Sequence, residues 1–132
     1  MRKKIILLSV LIVAFAASIL ILTQNPGPGF SGERISDQDG FFLRFDWMNM
    51  TDSETLELRK GDALRVSWQI ESGRVDIVIR QENKEPVYQA DGRAAGDSAA
   101  FFVEIPQTGS YTITVSARKA KGQLAFMKME NK

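Results

Sequence analysis

Two hydrophobic patterns divide the chain. From Ile5 to Leu22 it reads IILLSVLIVAFAASILIL, 18 residues without a charge, interrupted only by the polar Ser9 and Ser18. As a helix rising 1.5 Å per residue, this run would reach about 27 Å, close to the hydrocarbon thickness of a bilayer. Arg2, Lys3 and Lys4 precede it and the next basic residue is Arg34, so the charge bias predicts an N-terminus in the cytoplasm and the remainder outside. Ala14-Phe15-Ala16 has the spacing of a cleavage site, but a cut there would leave the apolar 17–22 on the mature end. An uncleaved signal anchor or transmembrane helix over 1–22 is the expectation; cleavage would give a secreted domain instead.

From Phe41 the apolar residues fall on alternate positions, the signal of half-buried strands. Leu64, Val66, Trp68 and Ile70 alternate with Arg65, Ser67, Gln69 and Glu71; Tyr111, Ile113, Val115 and Ala117 alternate with Thr112, Thr114, Ser116 and Arg118. Turn residues recur at 60–62, 72–73, 82–84, 91–97, 106–109 and 121–122, a spacing suited to short antiparallel strands. About eight strands are predicted, near 41–50, 54–59, 63–71, 74–81, 86–90, 98–105, 109–118 and 122–129. Without helical crossovers the strands must pair antiparallel. The predicted fold is therefore an all-β antiparallel sandwich, jelly-roll-like, over 41–132. Pro26, Pro28 and the glycines of TQNPGPGFSG stop any helix and make 23–40 a linker.

Composition narrows the chemistry. The chain has no cysteine, so disulfides and thiolate sites are excluded, and no histidine, which removes the commonest general base and metal ligand. Beyond the three N-terminal bases there remain 14 basic and 16 acidic residues, a net of −2, which argues against a nucleic-acid partner. No cofactor signature is present and no carboxylate pair or Ser/Lys dyad is singled out by spacing, so an enzyme is not expected.

The run Glu104-Ile105-Pro106-Gln107-Thr108-Gly109-Ser110-Tyr111-Thr112-Ile113-Thr114-Val115 resembles the P-x-x-G-x-Y-x-I-x-V strand of small bacterial extracytoplasmic jelly-roll domains, GOLD-like or pre-peptidase C-terminal-like. Leu58-Arg59-Lys60-Gly61-Asp62-Ala63-Leu64-Arg65-Val66 is similar to their L-x-K-G-D-x-L-x-V hairpin, and Val87-Tyr88 to a short following strand. The resemblance covers about 65 residues and implies an architecture, an extracytoplasmic location and a role in binding, with no shared active site.

Candidate ligand contacts are few. Trp47 and Trp68 would suit sugar stacking if exposed, yet each shares the phase of core residues, Trp47 with Phe41, Leu43 and Phe45. Asp91, Arg93 and Asp97 lie in DGRAAGD, a small flexible loop of the kind that carries binding groups. Arg118, Lys119 and Lys121 form a basic hairpin end able to meet an anionic polymer or lipid headgroups. Tyr111 is expected to tie the corner after Pro106 to a backbone group. Asp37-Gln38-Asp39-Gly40 faintly resembles a calcium loop but reads as a solvated acidic turn. The expectation is a non-catalytic extracytoplasmic binding or structural module, held in a cell membrane through residues 5–22 and contacting protein or envelope polymer. A carbohydrate-binding sandwich is the alternative.

Overall fold

The computed structural model describes residues 27–130, so the anchor expected at 1–22 lies outside the described residues. Among the described residues no helix is long and apolar enough to cross a membrane. Seven antiparallel strands follow one another: β1 Phe30–Asp37, β2 Gly40–Met48, β3 Thr51–Leu58, β4 Ala63–Gln81, β5 Tyr88–Ala94, β6 Ser98–Glu104 and β7 Gly109–Met129.

Two of these strands are long and bent. The first part of β4, 63–70, pairs with β6 and with the last part of β7, whereas 74–81 pairs with β5 and with the first part of β7. Register shifts between Ile70 and Arg74 mark the corner, and β7 turns opposite it at 118–122. Each strand thus passes from one layer to the other, as bulged corners allow. The result is a five-stranded sheet, β1-β2-β7-β4-β6, facing a four-stranded sheet, β3-β7-β4-β5. At the corner Gly73 has φ +77°, and a Cβ there would stand 2.2 Å from the Lys119 carbonyl oxygen, so only glycine lets the two bends nest.

The two layers enclose one core, in which Phe41, Leu43, Phe45, Leu64, Val66 and Phe126 from the larger sheet meet Leu56, Val75, Ile77, Ile79, Tyr111 and Ile113 from the smaller. The period-two reading holds in β3, in β4 and in the first part of β7, but not in β2 or at 124–127, where both faces are buried. Three expectations change. The turns predicted at 72–73 and 121–122 are corners within continuous strands. The linker predicted over 23–40 contains β1, whose pattern is masked because Arg34, not an apolar residue, points inward opposite Leu43. The flexible loop predicted at 91–97 is largely the end of β5, closed by a tight turn.

Arg34 joins the layers at one edge. Its Nε and Nη2 reach Asp52 of β3 at 2.7 and 3.3 Å, Nη2 also reaches Glu54 at 3.0 Å, and the guanidinium lies 4.9 Å from the Phe41 ring centroid. Burial pulls its pKa down, but hydrogen bonds and charge from Asp52 and then Glu54 outweigh it, and the pKa is raised.

The outer face of the smaller sheet is wet and hydroxyl-rich, with Thr55 Oγ1 3.2 Å from Thr112 Oγ1 and Thr51 Oγ1 3.0 Å from Ser116 Oγ. Such exposed cross-strand pairs contribute about 0.2 to 1 kcal/mol. Thr55→Ala should accordingly shift the denaturation midpoint by less than about 1 kcal/mol; a larger loss would mean that this face is covered.

Candidate ligand-binding face

The outer face of the five-stranded sheet is not simply wet. Register places Ile35, Phe42, Ala125, Ser67 and Ala100 side by side across all five strands, pointing away from the core. Ile35, Phe42 and Ala125 form a small apolar cluster of their own, separate from the core and itself buried, so that Ser67 and Ala100 are the accessible members of the row. The next row holds Glu33, Arg44, Gln123, Gln69 and Ser98, so a polar row runs directly beside an apolar one. Five strands at about 4.8 Å spacing make each row roughly 19 Å long.

Two depressions follow these rows. One, of about 260 Å³, is lined by Arg44, Asp46, Gln69, Glu71, Lys121 and Gln123. The other, about 220 Å³, continues from Gln69 and Gln123 onto Phe42, Ser67, Ala100 and Ala125. Arg44 is fixed by Glu33, which accepts from its Nη2 at 2.8 Å and its Nε at 3.0 Å. The Glu33 hydrogen bonds, against partial burial, raise the Arg44 pKa and keep the guanidinium charged. Phe102, 53% exposed, and Met129, 43% exposed, extend the apolar surface toward β6 and the end of β7, with Arg65 5.7 Å from the Phe102 ring centroid.

Trp47 reaches the same outer side, which corrects its expected place in the core. Between Phe45 and Met48 the register of β2 slips by one residue, so Met48 takes the inward position and Trp47 is left 43% exposed opposite Ser31. Trp68 is buried as expected, its ring edge-on to Phe101 at 5.4 Å and tilted against Tyr88 at 6.4 Å. Burial raises the Tyr88 pKa, with nearby Arg93 opposing.

The other expected contacts separate into two groups. Arg118, Lys119 and Lys121 sit on the β7 corner, opposite Arg74 and Ser72, and Lys121 also lines the first depression. Asp91, Arg93 and Asp97 stand on the far margin of the corner, where Asp97 accepts from the Ala94 N–H at 2.7 Å and so closes the turn. Asp97 is a structural residue. Asp37 likewise accepts from the N–H groups of Asp39 and Gly40, making a tight hairpin; among the described residues no group of three or more acidic side chains is placed to hold a metal. Gln69, Gln123 and Arg44 escaped the sequence reading because they lie on three strands far apart in the chain.

A further cavity, about 660 Å³, opens at the opposite end among Glu57, Asp62, Ser110, Lys128 and Glu130. Its polar groups already serve one another: Ser110 donates to Glu57 at 2.6 Å and Asp62 accepts from the Arg59 N–H at 3.0 Å. The outer sheet face, with its amides free, is the better candidate.

No family model matches the chain, and no curated protein matches it. Among solved structures it is similar to a family 29 carbohydrate-binding module, with 14% identity over 81% of this chain and 75% of that one, at a TM-score of 0.43. It is also similar to a carbohydrate-binding module from Cellvibrio mixtus lichenase 5A, solved in complex with cellotriose, with 12% identity over 80% and 89% at a TM-score of 0.43. The cupin domain of Drosophila melanogaster CENP-C is more distant, with 7% identity over 80% and 84% and a TM-score of 0.34.

Proposed function

We propose that this chain is a non-catalytic binding module, held at the outer face of a cell membrane by residues 5–22, that takes an extended carbohydrate chain of the envelope across its five-stranded sheet. The accessible polar row Arg44, Gln123, Gln69 carries the reading. A sugar ring offers vicinal hydroxyls, each both donor and acceptor, and an apolar C–H face. Side-chain amides supply both hydrogen-bonding senses and the guanidinium a planar set of donors, while exposed Ala100 and Phe102 on β6 offer apolar surface to the C–H face. A row of roughly 19 Å suits several units of an unbranched polymer better than a single small molecule.

The full chain in detergent should be retarded by at least one soluble envelope polysaccharide in affinity electrophoresis. Gln69→Ala with Gln123→Ala should weaken that binding about tenfold, from two lost hydrogen bonds, with stability changed by less than about 0.5 kcal/mol. Retardation unaffected by the double substitution would exclude this face. A protein partner is the second reading, favoured by exposed Phe102 and Met129; capture abolished by Phe102→Ala but not by the glutamine changes would select it.

A further inference from the structure

We infer that the corner formed by β4 and β7 is a docking surface for anionic phospholipid headgroups, setting the domain upright on the membrane that anchors it; the inference rests on the tether reading above. Arg74 and Arg118 are direct cross-strand partners, and both are exposed. Their neighbours Val75 and Ala117 are buried, so the two guanidinium groups share the outer side of the smaller sheet. Like charges directly opposite destabilise a sheet, and a sequence keeps such a pair at a cost unless an anion meets it. Among the described residues neither arginine, nor Lys119 beside them, makes an ion pair. Lys119 is held outward by a positive φ of 48° at the bend, while its N–H donates to the Asn49 side chain at 3.1 Å. Asp76, a carboxylate of the same sheet face, accepts from the Gly92 N–H, and the Arg74 guanidinium lies over Gly92 without pairing to it.

The chain itself says which anion. The Asn49 N–H donates to the Gly29 carbonyl at 2.7 Å, so the residue that braces Lys119 also receives the incoming linker. Only residues 23–28 separate Gly29 from the apolar run, a span of at most about 25 Å. The linker therefore enters the domain beside the basic corner and keeps that corner within reach of the membrane surface, where headgroup charge acts over about 10 Å. The other end is the more acidic. Segments 46–50, 70–76, 91–97 and 117–122 at this end hold five basic and five acidic residues, whereas 37–39, 57–62, 80–87, 104–110 and 128–130 at the other hold five basic and eight acidic. An anionic bilayer repels the second end more than the first.

The absence of cysteine allows one label in the full chain, an environment-sensitive dye on Ser72→Cys at the exposed corner. The chain is reconstituted into vesicles of phosphatidylcholine alone or with phosphatidylglycerol, and flotation reports the tether independently of the dye. Docking predicts a blue-shifted dye, quenched by headgroup-labelled lipid, in the phosphatidylglycerol vesicles only, and reversal by high salt. Arg74→Gln, Arg118→Gln and Lys119→Asn, which keeps a residue at ease with positive φ, should each lower the docked-to-free ratio about fivefold. These changes should leave polysaccharide binding intact. Floating chains whose dye ignores lipid charge, or responds to soluble polyphosphate but not to vesicles, would overturn the docking and spare the tether. Chains that fail to float would overturn both.

Discussion

Replacing Tyr111 with alanine is expected to lower the unfolding free energy by about 3 to 5 kcal/mol, the range for deleting a large buried aromatic. Tyr111 has no exposed surface and sits at the start of β7, between Leu56 of β3 and Gln81 of β4. Its hydroxyl donates to the Gln107 carbonyl four residues upstream, which locks the turn after Pro106 to the strand it feeds. Two losses therefore combine: a cavity between the layers and the hydrogen bond that ties the turn to the strand. Tyr111→Phe separates them, keeping the ring and costing about 1 kcal/mol. Guanidinium denaturation followed by tryptophan fluorescence would measure both. An alanine variant with an unchanged midpoint would take Tyr111 out of the core. Against a usual margin of about 5 to 15 kcal/mol, the expected loss brings the domain near its threshold.

Tyr111 was legible in the sequence because everything that defines its place is local: two turn residues before it and a period-two run after it. The same holds for Leu64 to Ile70. The corners were not legible. Ser72-Gly73 and Lys121-Gly122 carry the residues of a hairpin turn, and only the close approach of Gly73 to the Lys119 backbone decides that the chain bends and does not reverse. Trp47 was misplaced by a single residue slip in β2, because alternate burial has no memory across a bulge. The candidate face was half legible. Phe41 and Phe42 adjoin in β2 and Ala125, Phe126 and Met127 in β7, so apolar residues on both sides of these strands announced a second surface. The polar row beside it depends on Arg44, Gln123 and Gln69 being brought into register by strands that are consecutive in space and not in sequence. The alignment of β2 with β7 and of β7 with β4 creates that row, and no local pattern records it.

Arg34 is the residue whose loss should open the sandwich from its edge. It belongs to β1, the margin of the larger sheet, and its partners Asp52 and Glu54 to β3, the margin of the smaller, so the ion pair fastens the two layers across this edge. The side chains of Arg34 and Asp52 are each only 10% exposed, and the fork is filled further by the Ser36 hydroxyl at 3.2 Å and the Ser53 carbonyl at 3.3 Å. Removing one member of such a pair strands the other's charge, at about 3 to 5 kcal/mol. Arg34→Ala is expected in that range, by the same denaturation measurement. Arg34→Lys should recover only part of it, since an ammonium keeps the charge but cannot fork to Asp52 and Glu54 together. The decisive comparison is the double variant Arg34→Met with Asp52→Leu. If the stranded charge is the cause, the double variant should be more stable than Arg34→Met alone by about 1 to 3 kcal/mol. If it is no more stable, the edge is held by the packing of Arg34 on Phe41 and the electrostatic account fails.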